Sequence, residues 1–284
     1  MTGKIYALIK ERFSLSESKK IVIVIHGQSS SGKTTISRTL EKLFNKNDIP
    51  NIYIGLDSYY KTFDFSKPVE SYDFDNPGAF DFDKIYKTLQ AIDNDLDEIP
   101  TYSYCYKNKI LEGPNYIKNY KPKVVIIEGL YALNLFNKKS FDHENFDPWT
   151  TIYPEKLVEK FTYKNFLPLK IRLTLCKNLG RQIRIERDVK ERGRTVEFAT
   201  KQFETQVWPA TQRWVNMKEF KEDITIVHGN FNIKMVNALL RGIMDFMRMK
   251  SDKNQLDSKY TSLNPLDCSN ECRESTESLL LEDN

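Results

Sequence analysis

A chain of 284 residues with 43 Lys and Arg against 39 Asp and Glu has a formal net charge of only +4. It contains no long basic run of the kind that a nucleic-acid-binding domain needs, and no apolar stretch long enough to cross a membrane. The N-terminal stretch MTGKIYALIKERF lacks the apolar core of a signal peptide. We therefore expect a cytoplasmic protein without nucleic-acid or membrane partners. Its cysteines show no strong metal spacing and are expected to stay reduced: Cys105, Cys176, Cys268 and Cys272.

Five short apolar runs rich in β-branched residues predict the strands of one sheet. They read IVIVI (21–25), IYIGL (52–56), VVIIE (124–128), LKIRLTL (169–175) and ITIVH (224–228). Most of them alternate only weakly with polar residues, as expected for strands buried on both faces of a parallel sheet. Helical patterns separate the runs, so the sequence predicts an α/β fold with a doubly wound parallel sheet of about five strands.

The predicted helices lie between these strands. KTTISRTLEKLF follows the first strand, DFDKIYKTLQAID begins with Asp81 as a good N-cap, and residues 178–192 predict a charged helix. In the stretch 233–250 apolar side chains recur at helical spacing, which predicts a packing face made of Val236, Leu239, Leu240, Ile243, Phe246 and Met247.

The ends of the chain differ from its middle. Residues 1–19 are predicted to form a helical extension ahead of the domain at 20–250. Residues 251–284 contain eight acidic and three basic residues with few aromatics, which predicts a disordered acidic tail.

Two internal segments interrupt the alternation of strands and helices. Residues 100–121 predict an antiparallel hairpin or flap, because TYSYCY alternates and KNK can turn. Residues 134–168 hold eight aromatic side chains, which a disordered linker would avoid. We therefore expect a folded insertion with a helix at 154–163, which either packs on its own domain or forms a subunit contact.

The stretch GQSSSGKTT follows the first strand, opens the first helix and fits the P-loop pattern G-x-x-x-x-G-K-[ST]. In that pattern the glycines let backbone N–H groups point at phosphate oxygens, the lysine reaches the β- and γ-phosphates, and the next hydroxyl can bind Mg²⁺. The alternative is a serine-rich turn that only caps a helix. The predicted nucleotide-binding residues are Gly27, Gln28, Ser29, Ser30, Ser31, Gly32, Lys33, Thr34 and Thr35.

Two short strings match GTPase motifs by chance. DNPG at 75–78 fits DxxG and NKND at 45–48 fits NKxD, but they occur in the wrong order. NKND also falls at the end of the first helix, too early to meet a base. The sequence therefore does not indicate a GTPase.

Two carboxylates stand where predicted strands end, which is where parallel sheets bind ligands. Asp57 in GLDSYYK is a candidate general base, and Glu128 in VVIIEG is a candidate Mg²⁺ ligand, directly or through water. The alternatives are an N-cap role for Asp57 and an ordinary structural carboxylate for Glu128.

The string GRQIRIERDVKERGR at 180–194 is rich in arginine. On an exposed helix such residues usually form a solvated face of i,i+4 pairs. Downstream of a P-loop, a lid that brings arginines to ATP and excludes water is the better interpretation, because the guanidinium fork binds phosphate oxygens in pairs. The arginines are Arg181, Arg184, Arg187, Arg192 and Arg194.

Five motifs in register resemble the uridine kinase family over about residues 20–230. They are GQSSSGKTT, LDSYYK, YDFDNPGAFD (72–81), VVIIEGLYAL (124–133) and RDVKERGRT (187–195), followed by Gln202. The phosphoribulokinase and pantothenate kinase branches are more distantly similar. The resemblance implies a P-loop NTPase fold and transfer of phosphate from ATP (or GTP), with Mg²⁺, to the 5′-hydroxyl of uridine or cytidine. It also suggests a homo-oligomer.

The resemblance implies overlapping roles for the matching residues. The catalytic set would be Asp57, Lys33, Arg184 and Arg187. Thr34, Asp57 and Glu128 would bind the metal, and Arg192 and Arg194 would join the P-loop at the nucleotide. The acceptor would lie against Asp57, Tyr60, Phe74, Asp75, Tyr102, Lys107, Arg187, Arg194 and Gln202, with Asp75 accepting from ribose hydroxyls.

Two departures from the family pattern leave the acceptor open. The family usually reads YDFxxHxR where this chain reads YSYCYKNK, so Lys107 and Lys109 replace a His and an Arg. An Asp-rich loop before the lid helix is replaced by LTLCKN at 173–178. Three hypotheses follow: a nucleoside kinase, a related kinase of another small and even phosphorylated alcohol, and a non-catalytic nucleotide-binding protein. The intact P-loop and carboxylates argue against the third.

Overall fold

The computed structural model describes residues 2–14, 19–137, 139–141, 146–150, 157–159 and 162–246. The strands in these ranges are β1 (Lys20–Gly27), β2 (Asn51–Gly55), β3 (Glu98–Cys105), β4 (Ile110–Lys118), β5 (Val124–Gly129), β6 (Lys139–Phe141), β7 (Leu157–Glu159), β8 (Phe166–Thr174) and β9 (Ile224–Val227). The α-helices are α1 (Thr2–Ser14), α2 (Lys33–Lys46), α3 (Phe82–Asp93), α4 (Lys177–Arg192), α5 (Val196–Gln202), α6 (Trp208–Ala210) and α7 (Ile233–Phe246).

The five predicted runs form one parallel sheet in the order β2-β5-β1-β8-β9. Alternate side chains of the central strand β1 enter two different cores: Ile21, Ile23 and Ile25 on one face, Val22 and Val24 on the other. Because both faces are covered, apolar residues are needed on both sides of each strand. The predicted doubly wound sheet is confirmed.

Helices cover the two faces unequally. Buried residues of α1, α2 and α7 pack with the first core, and Ile9 of α1 is fully buried together with Leu240 of α7. On the opposite face α3 packs through Ile85 and Leu89. Residues 1–19, expected as an extension, thus contribute to the main core through α1. Of the helices in the described ranges, none combines the length and the apolarity of a membrane span.

The predicted helices are present where the structure describes them. Asp81 caps α3, and its side chain accepts a hydrogen bond from the backbone N–H of Lys84 at 3.1 Å. The charged helix α4 ends at Gly193, whose φ of 64° is one that glycine adopts without strain. Met247, expected on the packing face of α7, and the tail at 251–284 lie outside the described residues.

The segment expected to be a hairpin is one. β3 and β4 pair antiparallel, and residues 106–109 form the turn between them. The register shifts between Thr101 and Ser103, so Tyr102 of β3 lies opposite two residues of β4, Gly113 and Pro114. This hairpin lies outside the main sheet, as the sequence predicts.

The prediction for the insertion is partly wrong. Residues 157–159 form β7, which pairs with β6, instead of belonging to a helix at 154–163. In so short an apolar run, periodicity does not separate helix from strand, and pairing with β6 decides. The described aromatics pack on their own domain: Phe146 lies 4.8 Å from Trp214 and Trp149 lies 4.7 Å from Tyr72, between ring centroids.

Candidate active site

A cavity of about 990 Å³ opens where β1, β2 and β5 end. Parallel pairing places Gly55 of β2 and Ile25 of β1 beside Glu128 of β5, so the segments that follow these strands meet at one edge. The cavity brings together most of the predicted site residues: Ser29, Ser30, Gly32, Lys33, Thr34, Thr35, Asp57, Tyr60, Phe74, Asp75, Lys107, Glu128, Arg184, Arg187, Arg192 and Arg194.

The P-loop joins β1 to α2. Gly32 has a φ of +85°, and a Cβ placed there would lie 2.1 Å from the Cβ of Asn230. The loop after β9 therefore packs directly against the P-loop, and a larger residue than glycine does not fit at position 32. Three of the predicted nucleotide-binding residues of the P-loop do not line the cavity: Gly27, Gln28 and Ser31. The side chains of Gln28 and Ser31 are buried.

Lys33 is buried at the start of α2, and its Nζ donates to the backbone carbonyl of Gln28 at 2.9 Å. Burial lowers the pKa of Lys33, while the carboxylates of Glu128 and Asp57 oppose that shift. The ammonium group is therefore held inside the loop by the loop's own backbone, where phosphate oxygens would otherwise be its partners.

Thr34 and Glu128 meet across the cavity floor. The hydroxyl Oγ1 of Thr34 donates to Oε1 of Glu128 at 2.9 Å, and burial raises the pKa of Glu128 although Lys33 opposes this. Asp57 is exposed in the single 3₁₀ turn after β2. Among the described residues no group of three or more His, Cys, Asp or Glu could hold a metal. A hydroxyl with one or two carboxylates nevertheless fits Mg²⁺, which keeps waters and phosphate oxygens as its other ligands.

Tyr53 is a contact that the sequence analysis missed. Its hydroxyl donates to Oε1 of Glu128 at 2.8 Å from the middle of β2. Burial, followed by the charge of Glu128, raises the pKa of Tyr53 far above its usual range, so the phenol remains a donor. The sequence does contain a sign of this contact, because Tyr53 places a phenol within the apolar run IYIGL, two residues before Gly55.

Phe74 and Asp75 lie in the loop at 72–78. Asp75 is buried, and its backbone N–H donates to Oδ1 of Asp73 at 2.9 Å. The described part of the insertion supports this loop from behind, because the N–H of Asp73 donates to the carbonyl of Pro148 at 2.9 Å. A Cβ at Gly78 would lie only 2.4 Å from the carbonyl oxygen of Phe146. The described part of the insertion therefore packs against the loop that carries Phe74 and Asp75.

An aromatic wall faces Asp75. The ring of Tyr60 packs 5.4 Å from Tyr104 and 6.4 Å from Tyr106, between centroids, and all three line the cavity. Tyr102 does not line it, because its ring packs on Tyr59 at 5.6 Å. The sequence analysis missed Tyr104 and Tyr106, which the alternation of TYSYCY could have indicated. Lys107 and Lys109 complete the wall at the hairpin turn.

Asp188 gathers four of the five arginines of the predicted lid, while Arg181 pairs with Glu204 instead. Its buried carboxylate accepts from Nε of Arg184 and Nη1 of Arg194, both at 3.1 Å, through Oδ2. Through Oδ1 it pairs with Nη2 of Arg187 at 2.9 Å and Nη1 of Arg192 at 3.3 Å. Burial alone would raise the pKa of Asp188, but the charges of Arg184, Arg192 and Arg187 hold it below its ordinary value. The sequence alone does not single out Asp188, because α4 also carries Glu186 and Glu191, and any of the three acids could form a solvated pair.

Arg184 connects the two sides of the cavity. Its Nη1 donates to Oγ of Ser29 in the P-loop at 2.7 Å, and its Nη2 lies 3.5 Å from Oδ2 of Asp75. Gln202 is buried and accepts a hydrogen bond from Arg194 without lining the cavity. Gln202 thus orients an arginine of the site.

Comparisons with known proteins indicate the family of this chain. The model of the phosphoribulokinase / uridine kinase family matches residues 22–233. Uridine-cytidine kinase A of Dictyostelium discoideum is 26% identical over 85% of this chain, which spans 42% of that protein. Uridine kinase of Ligilactobacillus salivarius is 25% identical over 82% of this chain and 97% of its own length.

A solved structure shows the same fold. The protein assigned as a fructose transport system kinase from Silicibacter sp. TM1040 superposes with a TM-score of 0.57 at 15% identity, over 80% of this chain and 98% of its own. At that identity the likeness concerns the fold alone, which is that of the P-loop kinases.

Proposed function

Because the chain belongs to the phosphoribulokinase / uridine kinase family, we propose that it transfers the γ-phosphoryl group of ATP to the 5′-hydroxyl of uridine or cytidine. The observation that carries the proposal is the position of Arg184, which binds Ser29 of the P-loop and approaches Asp75 of the acceptor loop within one cavity. A donor site and an acceptor site joined in this way suit direct transfer between two bound substrates.

The donor side would hold the nucleotide through the P-loop backbone and Lys33. Mg²⁺ would be held by Thr34 and Glu128 with Asp57, and when bound it neutralises charge on the β- and γ-phosphates. Lys33 would exchange its bond to the Gln28 carbonyl for phosphate oxygens. GTP is the alternative donor with the same phosphate chemistry.

The acceptor side would position the hydroxyl. Asp57 is exposed on the cavity wall and is the proposed acceptor of the hydroxyl proton. Asp75 is the proposed acceptor for the ribose hydroxyls. A deoxy sugar would lack one of these hydroxyl donors and leave the buried Asp75 with Arg184 as its partner, so ribonucleosides should be preferred.

The lid arginines would stabilise charge on the transferred group. Arg187, Arg192 and Arg194 line the cavity while each is paired with Asp188. A shared carboxylate fixes these guanidiniums before substrate arrives, and pre-organised donors need little rearrangement during transfer.

A second acceptor class is favoured by one observation. Lys107 and Lys109 both line the cavity on the acceptor side. Ammonium groups form stronger, charge-assisted hydrogen bonds with the phosphate or carboxylate of a small anionic alcohol than with the neutral carbonyl oxygens of a pyrimidine.

A coupled assay of ADP release with a panel of acceptors tests the proposal. The panel contains uridine, cytidine, their deoxy forms, adenosine, ribulose 5-phosphate and pantothenate. Turnover confined to uridine and cytidine is expected. Turnover confined to an anionic acceptor would replace the nucleoside by the second class, and ATP binding without turnover on any acceptor would indicate a non-catalytic protein.

A further inference from the structure

Glu128 receives two hydroxyl groups on one oxygen, and only one of them comes from the P-loop. Thr34 and Tyr53 donate to the same Oε1, at 2.9 and 2.8 Å. We propose that Tyr53 is a positioning residue that fixes the Glu128 carboxylate for Mg²⁺, with its second oxygen left for the cavity. The inference rests on the proposed function, in which Glu128 is a metal ligand.

The strand register explains how Tyr53 reaches Glu128. Gly55 lies beside Glu128 in the pairing of β2 with β5, and Tyr53 is two residues earlier on the same face. A Cβ at Gly55 would lie 2.8 Å from the hydroxyl oxygen of Tyr53 and 3.3 Å from its ring. The phenol therefore occupies the space that a side chain at position 55 would need.

Helix α2 holds the phenol from the other side. The guanidinium carbon of Arg38 lies 3.5 Å from the centroid of the Tyr53 ring, and Nη1 of Arg38 pairs with Oε2 of Glu41 at 2.7 Å. Thr34 and Arg38 are four residues apart and so share one face of α2. One helix face thus places a hydroxyl on Glu128 and a cation on Tyr53.

We expect this arrangement to affect the affinity for the metal more than the stability of the fold. Glu128 is buried, so a carboxylate without these two donors would lose hydrogen bonds and be free to rotate. Groups that orient a metal ligand typically change metal affinity when removed. If the hydrogen bond from Tyr53 were only structural, its removal would change nucleotide affinity equally with and without Mg²⁺.

The test measures the affinity for methylanthraniloyl-ATP by fluorescence, with Mg²⁺ and with EDTA, without any acceptor. Tyr53→Phe should weaken affinity roughly tenfold in Mg²⁺ and leave affinity in EDTA unchanged. Tyr59→Phe is the matched control. It also removes a buried tyrosine hydroxyl, but that hydroxyl donates to Oγ1 of Thr88, at 3.1 Å, and not to Glu128. It should change neither value. Equal losses in both buffers, or none in Mg²⁺, would overturn the role of Tyr53.

Gly55→Ala supplies an independent variant. The added methyl group should displace the phenol and reproduce the Mg²⁺-specific loss of Tyr53→Phe. In the double variant the two losses should not add, because both act through one contact. Additive losses would contradict the proposal.

The same titration separates the two levels of inference. If the nucleotide affinity of the wild-type protein is the same in Mg²⁺ and in EDTA, both the metal role of Glu128 and the role of Tyr53 are overturned. A normal Mg²⁺ effect that Tyr53→Phe preserves would overturn only the role of Tyr53. Neither result depends on which acceptor is phosphorylated.

Discussion

The donor side and the acceptor side of the cavity are built differently. The donor side consists of one contiguous stretch, 27–35, and the end of β5, and backbone geometry fixes it. The acceptor side combines the turn after β2, the loop at 72–78, the hairpin and the described part of the insertion, and side-chain packing fixes it. The comparison suggests that the acceptor can change while phosphate chemistry stays the same.

Asp57→Asn should have the largest effect on turnover of the substitutions that test this division, because Asp57 is the proposed base where the two sides meet. The amide keeps the size of the carboxylate but cannot take the hydroxyl proton. Turnover should fall by about two to four orders of magnitude, the usual contribution of a general base, while ATP affinity is retained. Steady-state kinetics and nucleotide titration measure the two quantities.

Lys33→Ala is the comparison variant for Asp57→Asn. It removes a donor-side cation, so both ATP affinity and turnover should fall. Unchanged turnover in Asp57→Asn would show that the base is another group. Normal kinetics in Lys33→Ala would contradict the donor site itself.

Asp188→Asn tests whether the arginine cluster links the two sides. Removing the charge leaves four guanidiniums beside a buried neutral group, and loss of one partner of a buried ion pair costs about 3–5 kcal/mol. We expect a melting temperature lower by roughly 10 °C in calorimetry, with reduced turnover.

The control for this variant is Glu204→Gln. Glu204 pairs with Lys177 and Arg181 but is exposed, so its removal should cost less than about 1 kcal/mol. Equal effects of the two substitutions would mean that the buried Asp188 contributes no more to stability than an exposed ion pair does.

The sequence predicts most of the residues that line both sides of the cavity, and the residues that it misses depend on packing. A phosphate cradle needs glycine, lysine and a hydroxyl at fixed spacing, so Gly32, Lys33 and Thr34 can be found by pattern alone. The alternation of TYSYCY can indicate that Tyr104 and Tyr106 share a face, but it treats Tyr102 in the same way, and only the packing of the hairpin decides which rings line the cavity. The same limit applies to residues 157–159, where pairing with β6 overrides local preference.

Lys107→Gln sharpens the comparison on the acceptor side. Loss of one charge-assisted hydrogen bond should raise the acceptor KM about ten- to a hundredfold for an anionic acceptor, and much less for a nucleoside. The KM for ATP should not change. Lys118→Gln, on the exposed strand β4 beside Tyr120, is the matched control and should leave both KM values unchanged. An equal rise in the KM for ATP would show that Lys107 belongs to the donor side.

Asp73→Asn has the smallest expected effect and concerns how the acceptor loop responds to pH. Burial, followed by the charge of Asp75, raises the pKa of Asp73 to about 7. Between its ordinary value of 3.8 and about 7, the folded protein therefore holds a proton that the unfolded chain has released. The free energy of unfolding should fall as the pH rises through this window.

Asparagine keeps the oxygen that accepts from the backbone N–H of Asp75 and removes the titration. Between about pH 5 and about pH 8 the variant should therefore lose less stability than wild type, by on the order of 1 kcal/mol in chemical denaturation. Asp64→Asn is the control, because hydrogen bonds from Ser66 lower the pKa of Asp64 and keep it ionised throughout this range. If the free energy of unfolding of Asp73→Asn changes with pH as steeply as that of wild type, Asp73 stays charged in the folded protein.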